Sequence, residues 1–135
     1  MRRYEIIDEI YGQSFTLFTL SNLKDGVRFY KLYPGTLEEI TRNHVAFLAT
    51  IGEGGREFEI VVLKPGWRYT DLVHEVVHHA VGAFRDIGAS IEAGHDEPFA
   101  YYVEYILRKC LKAMAKRKVK LKTGTRSKNM PKTGT

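Results

Sequence analysis

One cysteine, Cys110, stands in the 135-residue chain, so an internal disulfide and any zinc site built from several thiolates are excluded. No apolar run approaches the roughly 20 residues that a membrane-spanning helix needs. The opening Met1-Arg2-Arg3-Tyr4-Glu5-Ile6-Ile7-Asp8 meets acids too early to hold the apolar centre of a secretory signal. Together these absences predict a soluble chain that stays in the cytoplasm and has no membrane partner. Acid is missing too from the last part of the chain. Residues 108–135 carry 11 Lys/Arg and no Asp or Glu, whereas 1–107 carry 10 Lys/Arg against 16 Asp/Glu. The formal charge of +5 thus hides an acidic body and a basic tail.

What is present suits one domain. A hydrophobic content of 44% and a charged content of 27% are those of a globular chain, and the length is too short for two cores. Residues 3–11 and 14–21 mix β-branched, aromatic and polar residues and predict two strands. Asp25-Gly26 reads as a turn, which makes 27–33 a third strand of a meander. Thr36-Leu37-Glu38-Glu39 has the Thr-x-x-Glu form of a capping box and predicts a short helix to about Asn43. His44–Ile51 and Glu57–Leu63, joined by a glycine-rich loop, predict a β-hairpin.

Asp71–Ile87 is the strongest helical pattern, with Thr70 as its N-cap and Gly88 just past its end. Val73, Val77, Ala80, Val81 and Phe84 form its apolar face, and His74, His78 and Arg85 an adjoining one. A second helix starts near Pro98, with Phe99, Val103, Ile106, Cys110 and Met114 as its core stripe and Glu97, Tyr101, Glu104 and Arg108 on another face. Cys110 is expected to be a packed thiol. These elements predict an α+β fold over residues 1–115: a mostly antiparallel sheet of about five strands packed on two helices. Residues 116–135, dominated by Lys, Arg and small polar residues, have too few apolar side chains to bury a core and are expected to be a disordered tail.

The chemistry concentrates in His74-Glu75-Val76-Val77-His78. Helical residues four apart lie on one face with Cβ atoms about 5–6 Å apart, so His74 and His78 can hold one zinc ion, and Glu75 can take a proton from its bound water. Catalytic zinc needs a third protein ligand. Glu97 is the first candidate by spacing, Glu104 the next, and His95 or Asp96 the loop alternatives. Tyr101, Tyr69 and Arg68 are candidates to stabilise an oxyanion. His79 points about 100° away from His78 and is expected behind the site or in solvent. His44 and His95 read as surface or turn histidines.

His-Glu-x-x-His followed by a glutamate that opens a second helix resembles the glutamate zincins, the superfamily of thermolysin-like metallopeptidases. With the string Asp96-Glu97-Pro98-Phe99-Ala100-Tyr101 it is also similar to small phage-encoded proteins described as metallopeptidases. The resemblance covers residues 69–107. It implies a minimal zincin-like fold, zinc on His74, His78 and Glu97, Glu75 as general base, and hydrolysis of a peptide or protein substrate. It also implies a sheet edge lining the cleft, a place assigned to Glu57–Leu63. A rival reading is a virion-associated or nucleic-acid-associated structural protein, its zinc site structural or vestigial. In that reading the tail, with Lys116, Arg117, Lys118, Lys120 and Lys122, contacts phosphates non-specifically or reaches an acidic protein surface.

Overall fold

The computed structural model describes residues 1–124, and the side chains of residues 1–116. The chain runs β1 (Arg2–Ile6), β2 (Phe15–Thr19), α1 (Leu23–Leu32), a single 3-10 turn (Pro34–Thr36), α2 (Leu37–Thr41), β3 (Ala46–Glu53), β4 (Arg56–Leu63), α3 (Tyr69–Asp86) and α4 (Glu97–Gly124). Among the described residues the sheet has four strands, in the order β1-β2-β4-β3. β1 pairs antiparallel with β2 and β3 with β4, but β2 and β4 run parallel. An open, mixed four-stranded sheet therefore replaces the expected five-stranded, mostly antiparallel one.

The missing strand is α1. Asn22 caps this helix by accepting a hydrogen bond from the Asp25 amide at 2.9 Å, and Asp25 in turn accepts from the Ser21 amide at 2.8 Å. Asp25-Gly26 thus lies in the first turn of a helix instead of between two strands. Gly26 suits that place because a Cβ there would sit 3.8 Å from Ile40 of α2. The capping box expected at Thr36 does not form. Its hydroxyl donates instead to the Tyr33 carbonyl, and no side chain caps α2.

Helices cover both faces of the sheet. Ile6, Phe15, Leu17, Ala46, Val61 and Leu63 pack against Leu72, Val76, Ala80, Phe84, Tyr102, Ile106 and Cys110 of α3 and α4. On the opposite face Phe18, Leu20, Phe47, Ile51, Ile60 and Val62 pack with Phe29 of α1. The uninterrupted run Ile60-Val61-Val62-Leu63 is what a strand buried on both faces requires. The β3–β4 hairpin forms as expected, with Gly54 and Gly55 both at positive φ (62° and 80°), which suits the twist of a two-residue turn.

α3 starts two residues earlier than its sequence signals suggest. Arg68 occupies the N-cap position, and the Asp71 carboxylate accepts from its amide at 2.8 Å. It ends at a Schellman motif, with Ala89 N–H donating to the Phe84 carbonyl at 2.8 Å, Gly88 N–H to Arg85 at 3.1 Å, and Gly88 at φ 77°. α4 does not stop near Ala115; its backbone runs on to Gly124, and residues 125–135 of the expected disordered tail lie outside the described residues.

Candidate functional site

α3 is rotated about its axis relative to the expected apolar face. Leu72, Glu75, Val76, His79, Ala80, Ala83 and Phe84 are its buried residues, whereas Val77 and Val81 are more than a third exposed. This turn sends His79 into the core and leaves His74 and His78 looking outward beside β3.

There, a groove of about 830 Å³ opens between α3 and β3. Val45–Leu48 form one wall and His74, Glu75, His78, Val81, Gly82 and Arg85 the other; Glu39, Arg42 and His44 close one side. The strand lining it is β3, at the sheet edge, not Glu57–Leu63, which lies inside the sheet between β2 and β3. His44, expected to be an ordinary surface residue, therefore belongs to the groove. It stands on the loop after α2, and Lys64 braces the end of α2 and the start of that loop: its buried Nζ donates to the carbonyls of Glu39 (2.7 Å), Ile40 (3.2 Å) and Arg42 (2.9 Å).

His74 and His78 approach as their four-residue spacing requires, with Nε2 atoms 3.1 Å apart. One ring must donate its Nε2 hydrogen to the other's lone pair. Glu75 is 7% exposed and has no hydrogen-bond or ion-pair partner among the described residues. Burial raises its pKa above the ordinary carboxylate range, and the nearby His74, His78 and His44 only partly offset this. A buried carboxyl group without a protein partner among the described residues, at a groove wall, is a candidate functional group.

A third metal ligand is not brought to the pair. Among the described residues no group of three or more His, Cys, Asp or Glu side chains gathers to hold a metal ion. Glu97 opens α4, which packs on α3 through Phe99 and Tyr102 against Phe84, and Glu97 is exposed outside the groove lining. Glu104 is spent on Arg108, at 2.6 Å. His95 and Asp96 stand exposed in the loop before α4, also outside the groove. The donor set does not fit a zinc centre, and that overturns the zincin resemblance and the zinc cofactor. Zinc-dependent peptide hydrolysis, and Glu75 as the base on a metal-bound water, fall with them. The rival reading of a structural or vestigial zinc site falls for the same reason.

No family model, curated protein or solved structure matches the chain. Function has to be read from the chain's own geometry.

The oxyanion candidates do not reach the groove either. Tyr101 is 66% exposed and Tyr69 53%, and Arg68 faces Asp71 at the start of α3. Of the tail residues, Lys116 is exposed on α4, and the side chains of Arg117, Lys118, Lys120 and Lys122 lie outside the described residues.

A second polar cluster escaped the sequence reading. Buried His79 sets Nδ1 against Glu59 Oε1 of β4 and Nε2 3.0 Å from the Tyr102 hydroxyl, which lies 2.6 Å from Asp8 Oδ2. Asp8 also accepts from the amides of Ile10, Tyr11 and Gln13 at 2.8, 3.0 and 2.9 Å. Burial pushes the Asp8 carboxyl up, but hydrogen bonds from Tyr102 and from these amides together hold it below its ordinary value. Burial, and then the Asp8 carboxylate, push the Tyr102 phenol well above the ordinary tyrosine range. Tyr102 therefore keeps its proton and donates a hydrogen bond to Asp8, so His79 must donate from Nε2 to the phenol oxygen. The cluster ties the loop after β1 and strand β4 to both α3 and α4. Burial likewise pushes the Cys110 thiol up to about 12, consistent with the packed thiol expected of it.

Proposed function

We propose that the protein is a peptide-binding module that takes an extended segment into the groove between β3 and α3. The observation that carries this reading is the pairing of a free sheet edge with a groove. β3 has β4 as its only strand neighbour among the described residues, so its other edge is open to strand pairing, and its first residues, Ala46–Leu48, line the groove. An extended peptide satisfies such an edge by adding a strand, and its alternate side chains then meet the helix alongside. The groove is in the size range of ligand sites and combines apolar lining (Val45, Ala46, Leu48, Val81) with convergent polar groups (His44, His74, Glu75, His78). Gly82 adds to the room by leaving the α3 backbone bare on that side.

Selection from a random library of peptides about eight residues long, enough to span one strand, tests the reading. Selected peptides are expected to shift the backbone amide signals of β3 and of His74–Arg85. A failure to select any peptide, or shifts confined to other surfaces, would overturn it.

A further inference from the structure

We infer that Glu75 is the specificity anchor of the groove and that it receives a lysine side chain of the bound peptide. This rests on the peptide-binding reading above and names the side chain that such a peptide must carry.

Two independent observations lead there. Glu75 is a carboxyl group more than nine-tenths buried, lining the groove, with no donor among the described residues. Buried polar groups in folded proteins are nearly always paired, so its partner is expected to come from outside the chain. The second observation is the apolar lining beside it: Ala46, Leu48 and Val81 share the groove with Glu75 and offer a surface for an aliphatic stem that ends in a cation.

The surroundings select among nitrogen donors. Lysine carries a compact ammonium on a flexible four-carbon stem, so the stem can lie along Val81, Ala46 and Leu48 while the ammonium reaches a carboxylate that is only 7% exposed. The planar guanidinium of arginine is wider than this compact ammonium. The other charged groups lining the groove do not compete for this role. Arg42 is paired with Glu38 and Asp71 with Arg68, and Glu39 lies on the loop side with Lys64. Arg85 stands ten residues along α3, about 15 Å from Glu75 at the helical rise. His44, His74 and His78 line the groove with Glu75, and their ring nitrogens add hydrogen-bonding groups there.

The test uses fluorescein-labelled peptides of about eight alternating Thr and Val residues, a strand-forming background. One lysine is moved through the positions, and matched sets carry norleucine, glutamine or glutamate in its place. Binding is read by fluorescence anisotropy on the full chain and on Glu75→Gln, with β3 amide shifts as a second readout. At one position the lysine peptide is expected to bind at least about tenfold tighter than its norleucine and glutamine counterparts, and the glutamate peptide weakest. In Glu75→Gln the advantage of lysine over norleucine and glutamine at that position disappears. Equal binding of lysine, glutamine and norleucine peptides, with β3 amides shifted, would overturn the lysine anchor and leave the peptide reading standing. An advantage for lysine that persists in Glu75→Gln would also overturn it. Failure of every peptide to bind or to shift β3 would overturn both.

Discussion

Tyr102→Phe probes the buried cluster with the smallest change in shape. The substitution removes one oxygen that donates to Asp8 at 2.6 Å and accepts from His79 Nε2 at 3.0 Å, in a side chain that is 2% exposed. Losing a hydrogen bond to an ionised carboxylate costs about 1.5–3 kcal/mol, and stranding a buried N–H costs about 1–3 kcal/mol. Asp8 keeps its three amide donors, which limits the first loss to the lower part of its range. A destabilisation of about 3 kcal/mol is expected, or about 10 °C in Tm for a domain of this size. Because the folded pKa of Asp8 is depressed, its contribution is present above the unfolded value of about 3.9 and is lost as pH falls through the folded value. The difference between wild type and Tyr102→Phe should therefore narrow below about pH 4. Urea denaturation followed by the fluorescence of Trp67, the single tryptophan, at neutral and acid pH measures both. A neutral-pH difference under about 1 kcal/mol, or a difference that does not change with pH, would refute the donor and acceptor roles assigned to the cluster.

Three further variants test separate parts of the account. Glu75→Gln should raise Tm at neutral pH, because a carboxyl whose folded pKa is raised loses stability as pH rises through that value; the gain should vanish near about pH 4, where both forms are neutral. Gly82→Ala should stabilise the domain by about 0.5–1 kcal/mol through helix propensity, since the nearest atom to the new methyl is the movable Arg85 Nη2 at 3.4 Å; a thermal scan showing a loss would contradict the space read at this position. Lys64→Met leaves three carbonyls without their shared donor and should cost about 2 kcal/mol or more, with faster hydrogen exchange around His44. Unchanged exchange in that loop would show that Lys64 does not brace the groove wall.

Much of the architecture is legible in the sequence where one physical signal dominates. Gly54-Gly55 between two apolar runs gave the β3–β4 hairpin, and Gly88 marked the end of α3 through its positive φ. Two errors came from competing signals of similar strength. Asp25-Gly26 has the composition of a hairpin turn, and only the capping contact from Asn22 to the Asp25 amide makes it the first turn of α1. On α3, Val73, Val77 and Val81 drew the apolar stripe to one side, while the stripe that is buried includes His79 and Glu75. Hydrophobicity could not place these two, because His79 is satisfied by Glu59 and Tyr102, residues 20 and 23 positions away. A signal for His79 was nonetheless present: it lies three residues from Val76 and four from Ala83, on the stripe that Leu72 begins.

The histidine pair was readable because it depends on helical spacing alone. The third ligand was not, since it depends on how α4 packs on α3. Phe84 meets Phe99 and Tyr102 there, and Glu97 is left at an exposed helix start. Motif spacing along the chain thus fixed two donors and said nothing about the direction of the third.

The central claim is that the free edge of β3 receives an added strand. Amide hydrogen exchange of β3, measured on the full chain with and without a selected peptide, tests it most directly. The account predicts that amides on the groove side between Ala46 and Glu53 become protected when the peptide is bound, while those already paired with β4 change little. Protection that appears elsewhere while β3 stays as open as before would contradict it.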